Sequence, residues 1–292
     1  MPFFADRNEN SMIIDFHTHT FPDKIAARTL AYLSSKSKTP AFTDGTVDGL
    51  SRSMKDAGID YSVGLSVATV PEQTEKINSS MIGRLEELQE NGIIPFGAMH
   101  PQYENFKNEL RRIRRAGICG IKLHPPYQQI DFDDLRYQRI VDAASEEDLI
   151  ILVHAGIDIG ITDRNYTSVG HILTMIDTVK PEKLVLAHMG SWACWDEVAS
   201  DLAGVPVWLD TSFSIGPVQP SSPESVPYLT HNLSDEDFLR LARSHGMDRI
   251  LFATDSPWMD QSDYVQRFAQ MDLTDSERAA IMGGNAARLL GL

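Results

Sequence analysis

The sequence predicts one closed (β/α)8 TIM barrel of the α/β class, and three observations carry that expectation. Short runs rich in Ile, Leu and Val recur eight times, each followed by a segment of helical periodicity, the pattern of parallel strands buried on both faces. A chain of 292 residues suits a barrel, which runs to about 250 residues before insertions, better than an open sheet of about five or six strands. Polar residues gather at the ends of the runs, where such a barrel builds its site.

Residues 1–11 are polar and aperiodic and read as a loose leader; residues 12–292 read as a single domain. Met12-Ile13-Ile14 opens the first strand, and strand alternation puts Asp15, His17 and His19 on one face and Ile14, Phe16 and Thr18 on the other. Phe21-Pro22-Asp23 ends it, with Asp23 the expected cap of a helix through Ala26, Ala27, Leu30 and Leu33. Strands are expected at Tyr61 to Val67, Ile93 to Ala98, Gly120 to His124 and Leu149 to His154, separated by helices at Glu72 to Glu90, Glu104 to Ala116 and Phe132 to Glu147. Beyond a helix at Val169 to Val179, the remaining strands are Leu184 to His188, Val205 to Asp210 and Arg249 to Thr254. Their helices are Cys194 to Leu202, Asp235 to His245 and Asp263 to Gln270, and a closing helix over Ser276 to Leu290 is expected to sit outside the barrel. The connection Phe213 to Ser234, with Pro217, Pro220, Pro223 and Pro227, is long for a compact domain and reads equally as a binding lid or a plain surface loop.

Composition narrows the function. An apolar share of 42% with 23% charged residues is that of a globular protein with a large core. Lys plus Arg is 26 against 41 Asp plus Glu, and a net charge of −15 disfavours nucleic acid and anionic membranes as partners. No apolar run approaches the roughly 20 residues of a membrane span, and the start lacks a basic segment followed by an apolar one, so a cytoplasmic location is expected. Cys119 and Cys194 are too few for a disulfide framework and read as plain thiols.

The strand ends carry the chemistry. His17 and His19 end the first, Lys122 and His124 the fourth, His154 the fifth and His188 the sixth, while Asp255 follows the eighth. Each alone reads as an ordinary hydrogen-bonded histidine or acid. Together at one mouth they form an uncompensated polar cluster that burial penalises, and a bound cation removes the penalty.

Five segments, Ile13-Ile14-Asp15-Phe16-His17-Thr18-His19, Gly120-Ile121-Lys122-Leu123-His124-Pro125, Val153-His154-Ala155-Gly156, Leu186-Ala187-His188-Met189-Gly190 and Phe252-Ala253-Thr254-Asp255-Ser256-Pro257, resemble the amidohydrolase superfamily. They look most like its amidohydrolase-related (amidohydrolase 2) branch, which includes aminocarboxymuconate semialdehyde decarboxylase, and Gly284-Asn285-Ala286-Ala287-Arg288-Leu289-Leu290 resembles that branch's closing helix. The resemblance implies His17, His19, His154 and Asp255 as metal ligands, with Asp255 also handling a proton, and His188 as the histidine that activates water or polarises substrate. It also sets Lys122 near the place of the carboxylated lysine that bridges two metals in binuclear relatives, although an ordinary ion pair with Asp15 or another buried carboxylate is the favoured reading. His124 would contact substrate at the rim. Related barrels often pair through outer helices, which leaves a homodimer open.

Three imidazoles and a carboxylate suit Zn2+, with Mn2+, Co2+ or Fe2+ as substitutes, one per chain, and such an ion lowers the pKa of a bound water to about 7. The first reading is therefore hydrolysis of an amide, lactone or ester bond in a small molecule, with Asp255 as proton carrier and His188 orienting the water. The alternative is non-oxidative decarboxylation of a small unsaturated or aromatic acid, because His17-Thr18-His19-Thr20-Phe21-Pro22 resembles the opening of the semialdehyde decarboxylase. That reaction needs a cationic clamp, for which Arg28 and Arg164 are candidates. A further alternative, a catalytically idle metal-binding scaffold, is weakened by the presence of both Asp255 and His188. Trp192 and Trp195 could line a pocket, but their spacing of three favours the inward face of a helix.

Overall fold

The structure is a computed structural model that describes residues 12–218 and 232–292. The leader, and the part of the long connection that holds Pro220, Pro223 and Pro227, lie outside the described residues. The strands are β1 (Ile14–Thr18), β2 (Tyr61–Leu65), β3 (Ile93–Ala98), β4 (Gly120–Leu123), β5 (Ile150–Val153), β6 (Leu184–Leu186), β7 (Trp208–Asp210) and β8 (Ile250–Leu251). They are hydrogen-bonded side by side in chain order and run parallel. The ring closes where Phe16 N donates to Phe252 O, Asp255 N to His17 O and His19 N to Ser256 O. This is the TIM barrel that the recurring apolar runs predict.

Alternation along each strand divides the apolar residues into two layers. Ile150 and Leu152 of β5 join Phe16, Leu65, Phe96, Val185 and Leu251 in an inner cluster, while Ile151 and Val153 join the larger cluster shared with the surrounding helices. Ala286 and Leu289 of the closing helix belong to the inner cluster, beside the strand-start residues Tyr61, Cys119 and Trp208. That helix therefore covers the N-terminal end of the barrel rather than lying outside it, because its small and apolar face meets the open floor of the inner layer.

β1 carries the irregularity that builds the site. Asp15 pairs with Ser62 of β2, yet Thr18 pairs with Gly64, so β1 spends one extra residue between them. Asp15 consequently does not share a face with His17 and His19. Its carboxylate accepts from Thr254 N at 3.0 Å, Thr254 Oγ1 at 2.5 Å and Gln261 Nε2 at 2.7 Å, while the two histidines turn into the mouth.

Other elements differ from expectation at their ends. A helix over Val47–Ala57 was not foreseen; Thr46 caps it by accepting from Gly49 N at 2.9 Å, and it buries Val47, Leu50 and Met54. Asp23 is the first residue of its helix rather than the cap, which is Pro22. The helix expected over Glu72 to Glu90 breaks at Arg84 into Gln73–Gly83 and Leu85–Glu90, and the closing helix is divided by a wider turn at Ala280–Gly284. No helix among the described residues is long and apolar enough to cross a membrane.

Candidate metal centre

The strand ends converge as a barrel requires. His17 Nε2 and His19 Nε2 are 3.2 Å apart, and Asp255 Oδ1 lies 3.4 Å from the first and 3.1 Å from the second. Donor atoms about 2.05 Å from one tetrahedral ion are about 3.4 Å from each other, so these three already sit near three corners of such a shell.

Their hydrogen bonds leave lone pairs facing inward. His17 Nδ1 donates to Asp210 Oδ2 at 2.8 Å, and His19 Nδ1 donates to the Leu65 carbonyl at 2.9 Å, so in the neutral rings both Nε2 atoms are unprotonated. Two lone pairs and a carboxylate oxygen thus point at one spot. Lys122 Nζ, 3.2 Å from His17 Nε2, is the donor beside them. The arrangement fits a divalent cation, which satisfies all three at once.

Burial supports the same reading. Removal from water holds the imidazoles of His17, His124 and His154 well below their ordinary pKa, and it lowers His188 against the pull of Asp255 and Asp210, so burial favours the neutral form of each ring, which carries a lone pair. Burial pushes the Asp255 carboxyl up, but His17, His19 and His188 together outweigh it and leave the group below its usual value. Burial lowers Lys122 to about 8, with Asp210, Asp255 and Asp158 working in the opposite direction.

His188 and Asp255 are held in the left-handed region, at φ of 59° and 66°, as is Met189 at 53°. Non-glycine residues adopt this conformation at a cost of order 1–3 kcal/mol each and do so where surrounding structure requires it. Both backbones are fixed: His188 N donates to Asp210 Oδ1 at 3.0 Å, and Asp255 N to His17 O at 2.8 Å.

His154 stands apart from the first three donors. Its Nδ1 is 3.0 Å from His188 Nε2, its ring stacks on His124 at 4.5 Å, and it forms a second cluster with His124 and Asp158. The structure therefore gathers His17, His19 and Asp255 tightly and leaves His154 outside that group, with its Nδ1 against His188 Nε2. The favoured pairing of Lys122 with Asp15 is not made, since the bulge in β1 sends Asp15 to Thr254 and Gln261; among the described residues no carboxylate reaches Lys122 within 4.0 Å.

A cavity of about 640 Å3 opens over these groups, lined also by Phe21, Tyr127, Trp192, Phe213 and Trp258. Trp192 lies outside any helix and faces the cavity, whereas Trp195 begins a short helix and donates its indole N–H to His188 O at 3.0 Å. Neither arginine clamp candidate lines the cavity: Arg28 is exposed and Arg164 pairs with Asp131.

Asp210, Ser212 and Asp158 escaped the sequence reading. Asp210 ends β7 and was open to the same strand-end rule that singled out the histidines. Ser212 and Asp158 follow their strands by two and five residues and carried no such signal.

A family model described as Amidohydrolase matches residues 14–292. No curated protein matches the chain. Among solved structures it is similar to an uncharacterized TIM-barrel protein from Bordetella bronchiseptica, with 18% identity and a TM-score of 0.72 over 96% of this chain and 98% of that one. It is also similar to 2,6-dihydroxybenzoate decarboxylase from Rhizobium, with 14% identity and a TM-score of 0.69 over 96% and 98% of the two chains. A third is 5-carboxyvanillate decarboxylase from Novosphingobium aromaticivorans with bound manganese and 3-methoxy-4-hydroxy-5-nitrobenzoic acid, at 13% identity and a TM-score of 0.67 over 97% and 98%. At these identities the likeness shows the fold.

Proposed function

The chain belongs to the amidohydrolase family, and from that premise we propose that it is a metal-dependent decarboxylase acting on a small aromatic or unsaturated carboxylic acid. The observation that carries this reading is Lys122. Its ammonium is 1% exposed at the floor of the mouth, 3.2 Å from a ligand nitrogen, with no carboxylate of the described chain within 4.0 Å. A buried cation so placed needs an anion, which an acid substrate brings and a neutral ester, lactone or amide does not. The decarboxylases of similar fold, one with bound manganese, support the same choice over hydrolysis.

His17, His19 and Asp255 would hold the ion, with His154 completing the set. When bound, the ion supplies positive charge that fixes the substrate and spreads developing negative charge. Lys122 Nζ holds one carboxylate oxygen by a charge-assisted hydrogen bond. Asp255, ionised at rest, would take a proton from water, leaving hydroxide, and deliver it to the carbon that bears the carboxylate; the carbon–carboxylate bond then breaks, its electron pair returns to the substrate framework and CO2 leaves. Trp192, Phe213 and Tyr127 would flank a planar substrate and exclude water from the breaking bond.

The test is to load the protein with Mn2+ or Zn2+ and offer it hydroxybenzoates and unsaturated acids beside lactones, esters and amides. CO2 release in D2O, with one deuterium at the vacated carbon, is expected. Turnover of esters, lactones or amides without CO2 from any acid would return the function to hydrolysis.

A further inference from the structure

The two imidazoles of the tight cluster each fix their remote nitrogen on an acceptor. His17 uses Asp210 Oδ2 and His19 uses the Leu65 carbonyl. His154 differs from both. Its Nε2 is buried with no hydrogen-bond partner, and a buried carboxylate oxygen, Asp158 Oδ2, stands 4.0 Å away. The two side chains are 8% and 7% exposed, which leaves little room for solvent to serve instead.

Asp158 is itself held in place. Its Oδ1 accepts from Gly160 N at 2.8 Å and its backbone carbonyl from Ile161 N at 3.0 Å, so Oδ2 is left facing the imidazoles. Oδ2 is also 3.7 Å from His124 Nε2. A second ion shared by His124, His154 and Asp158 is one reading of this cluster, but the rings stack 21° from parallel at 4.5 Å. In-plane lone pairs on stacked rings run side by side, whereas the ligands of one ion must converge.

We propose that Asp158 is the positioning residue for His154: its Oδ2 accepts the Nε2 proton, so that Nδ1 presents a lone pair toward His17, His19 and Asp255. The inference rests on the metal reading of that centre. In this structure His188 Nδ1 donates to the Ser212 carbonyl at 2.9 Å, so His188 Nε2 accepts and His154 Nδ1 carries the proton between the two rings at 3.0 Å. Coordination through Nδ1 requires the other tautomer. The proton leaves Nδ1, one is taken up at Nε2, and the ring stays neutral. Asp158 supplies the acceptor that favours that exchange, and His188 Nε2 is released to face substrate. Carboxylate, imidazole and ion in line recur at metal sites, and loss of the carboxylate costs about 10–100-fold in metal affinity.

The full chain labelled with 15N-histidine would be titrated with Zn2+ alone against a competing chelator, as wild type, Asp158→Ala and Asp158→Asn. Wild type is expected to show His154 bound at Nδ1 and protonated at Nε2. Asp158→Ala should bind Zn2+ about 10–100-fold more weakly, and Asp158→Asn, whose amide oxygen still accepts, should recover most of the loss. Affinity within twofold of wild type in Asp158→Ala, His154 bound through Nε2, or a second equivalent of Zn2+ lost with Asp158 would each overturn the proposal. If Asp158→Ala does not fold, the wild-type 15N signature and Asp158→Asn decide it. A wild type that binds no divalent ion would remove the metal centre and the proposed function with it; equal affinities in folded variants remove the role of Asp158 alone.

Discussion

Asp210 Oδ2 lies 2.8 Å from Nδ1 of His17, while Oδ1 of the same carboxylate takes the backbone N–H of His188 at 3.0 Å. One fully buried residue at the end of β7 thus fixes the tautomer of a β1 histidine and the left-handed backbone after β6. Asp210→Ala should weaken divalent-ion binding about 10–100-fold, because His17 is no longer aimed. It should also cost about 1–3 kcal/mol of stability, since the His17 Nδ1–H and His188 N–H lose their acceptor. Chelator competition and urea unfolding read the two effects separately; unchanged ion affinity in the folded variant would refute the orienting role.

The proposed role of Lys122 predicts that substrate binding and ion binding can be separated. Lys122→Met keeps the length and apolar stem while removing the charge, so metal content per chain should stay at the wild-type level. A hydrogen bond to a charged group contributes about 1.5–3 kcal/mol, which predicts a fall of about 10–150-fold in kcat/KM for the acid substrate. Loss of metal in this variant would instead assign Lys122 to the ion, as the carboxylated-lysine alternative requires.

The barrel was legible because its signal is repeated. Eight apolar runs at similar spacing outvote any single ambiguous one, and the strand-end rule then placed His17, His19, Lys122, His154, His188 and Asp255 around one mouth. What the rule could not convey was the bulge in β1. Period-two alternation assumes constant register, so it assigned Asp15 to the histidines' face although one extra residue sends it to Gln261. The helix Val47–Ala57 hid for a different reason: its buried positions Val47, Leu50 and Met54 lie among Ser, Asp, Lys and Arg, and the pattern is short. Charge alone makes Arg28 and Arg164 candidates, whereas direction of projection is a property of the fold: Arg28 is exposed on the helix that begins at Asp23, and Arg164 pairs with Asp131.

The position of Lys122 depends on how β4 seats against β3. A side chain at Gly120 would bring its Cβ within 2.6 Å of Phe96 Cδ2 and Cζ, inside the inner layer. Gly120→Ala should therefore destabilise the protein by about 1–3 kcal/mol through overpacking. Adding Phe96→Leu should recover part of that loss, giving a coupling between the two sites in a double-mutant cycle. Additive losses measured by urea unfolding would show that the strand shifts instead of clashing.

His245 offers a test of the buried-imidazole argument away from the metal centre. Its Nε2 donates to Val207 O at 2.9 Å, its Nδ1 is buried without a partner, and removal from water holds the ring below its ordinary pKa. Since the folded pKa is depressed, the unfolded chain takes up a proton below about pH 6.5 that the folded chain refuses. The stabilisation is present above that pH and is lost as the pH falls. His17, His100, His124, His154 and His188 are shifted in the same direction and outnumber Asp15 and Asp158, which burial raises to about 6 and 7 and which work the other way, so the chelator-treated protein should lose stability from pH 7.5 to 5.5. His245→Gln, which keeps an N–H for Val207, should reduce that slope by up to one proton, about 1.4 kcal/mol per pH unit. Urea midpoints at pH 7.5, 6.5 and 5.5 give both slopes; identical slopes would mean that His245 is protonated in the folded state.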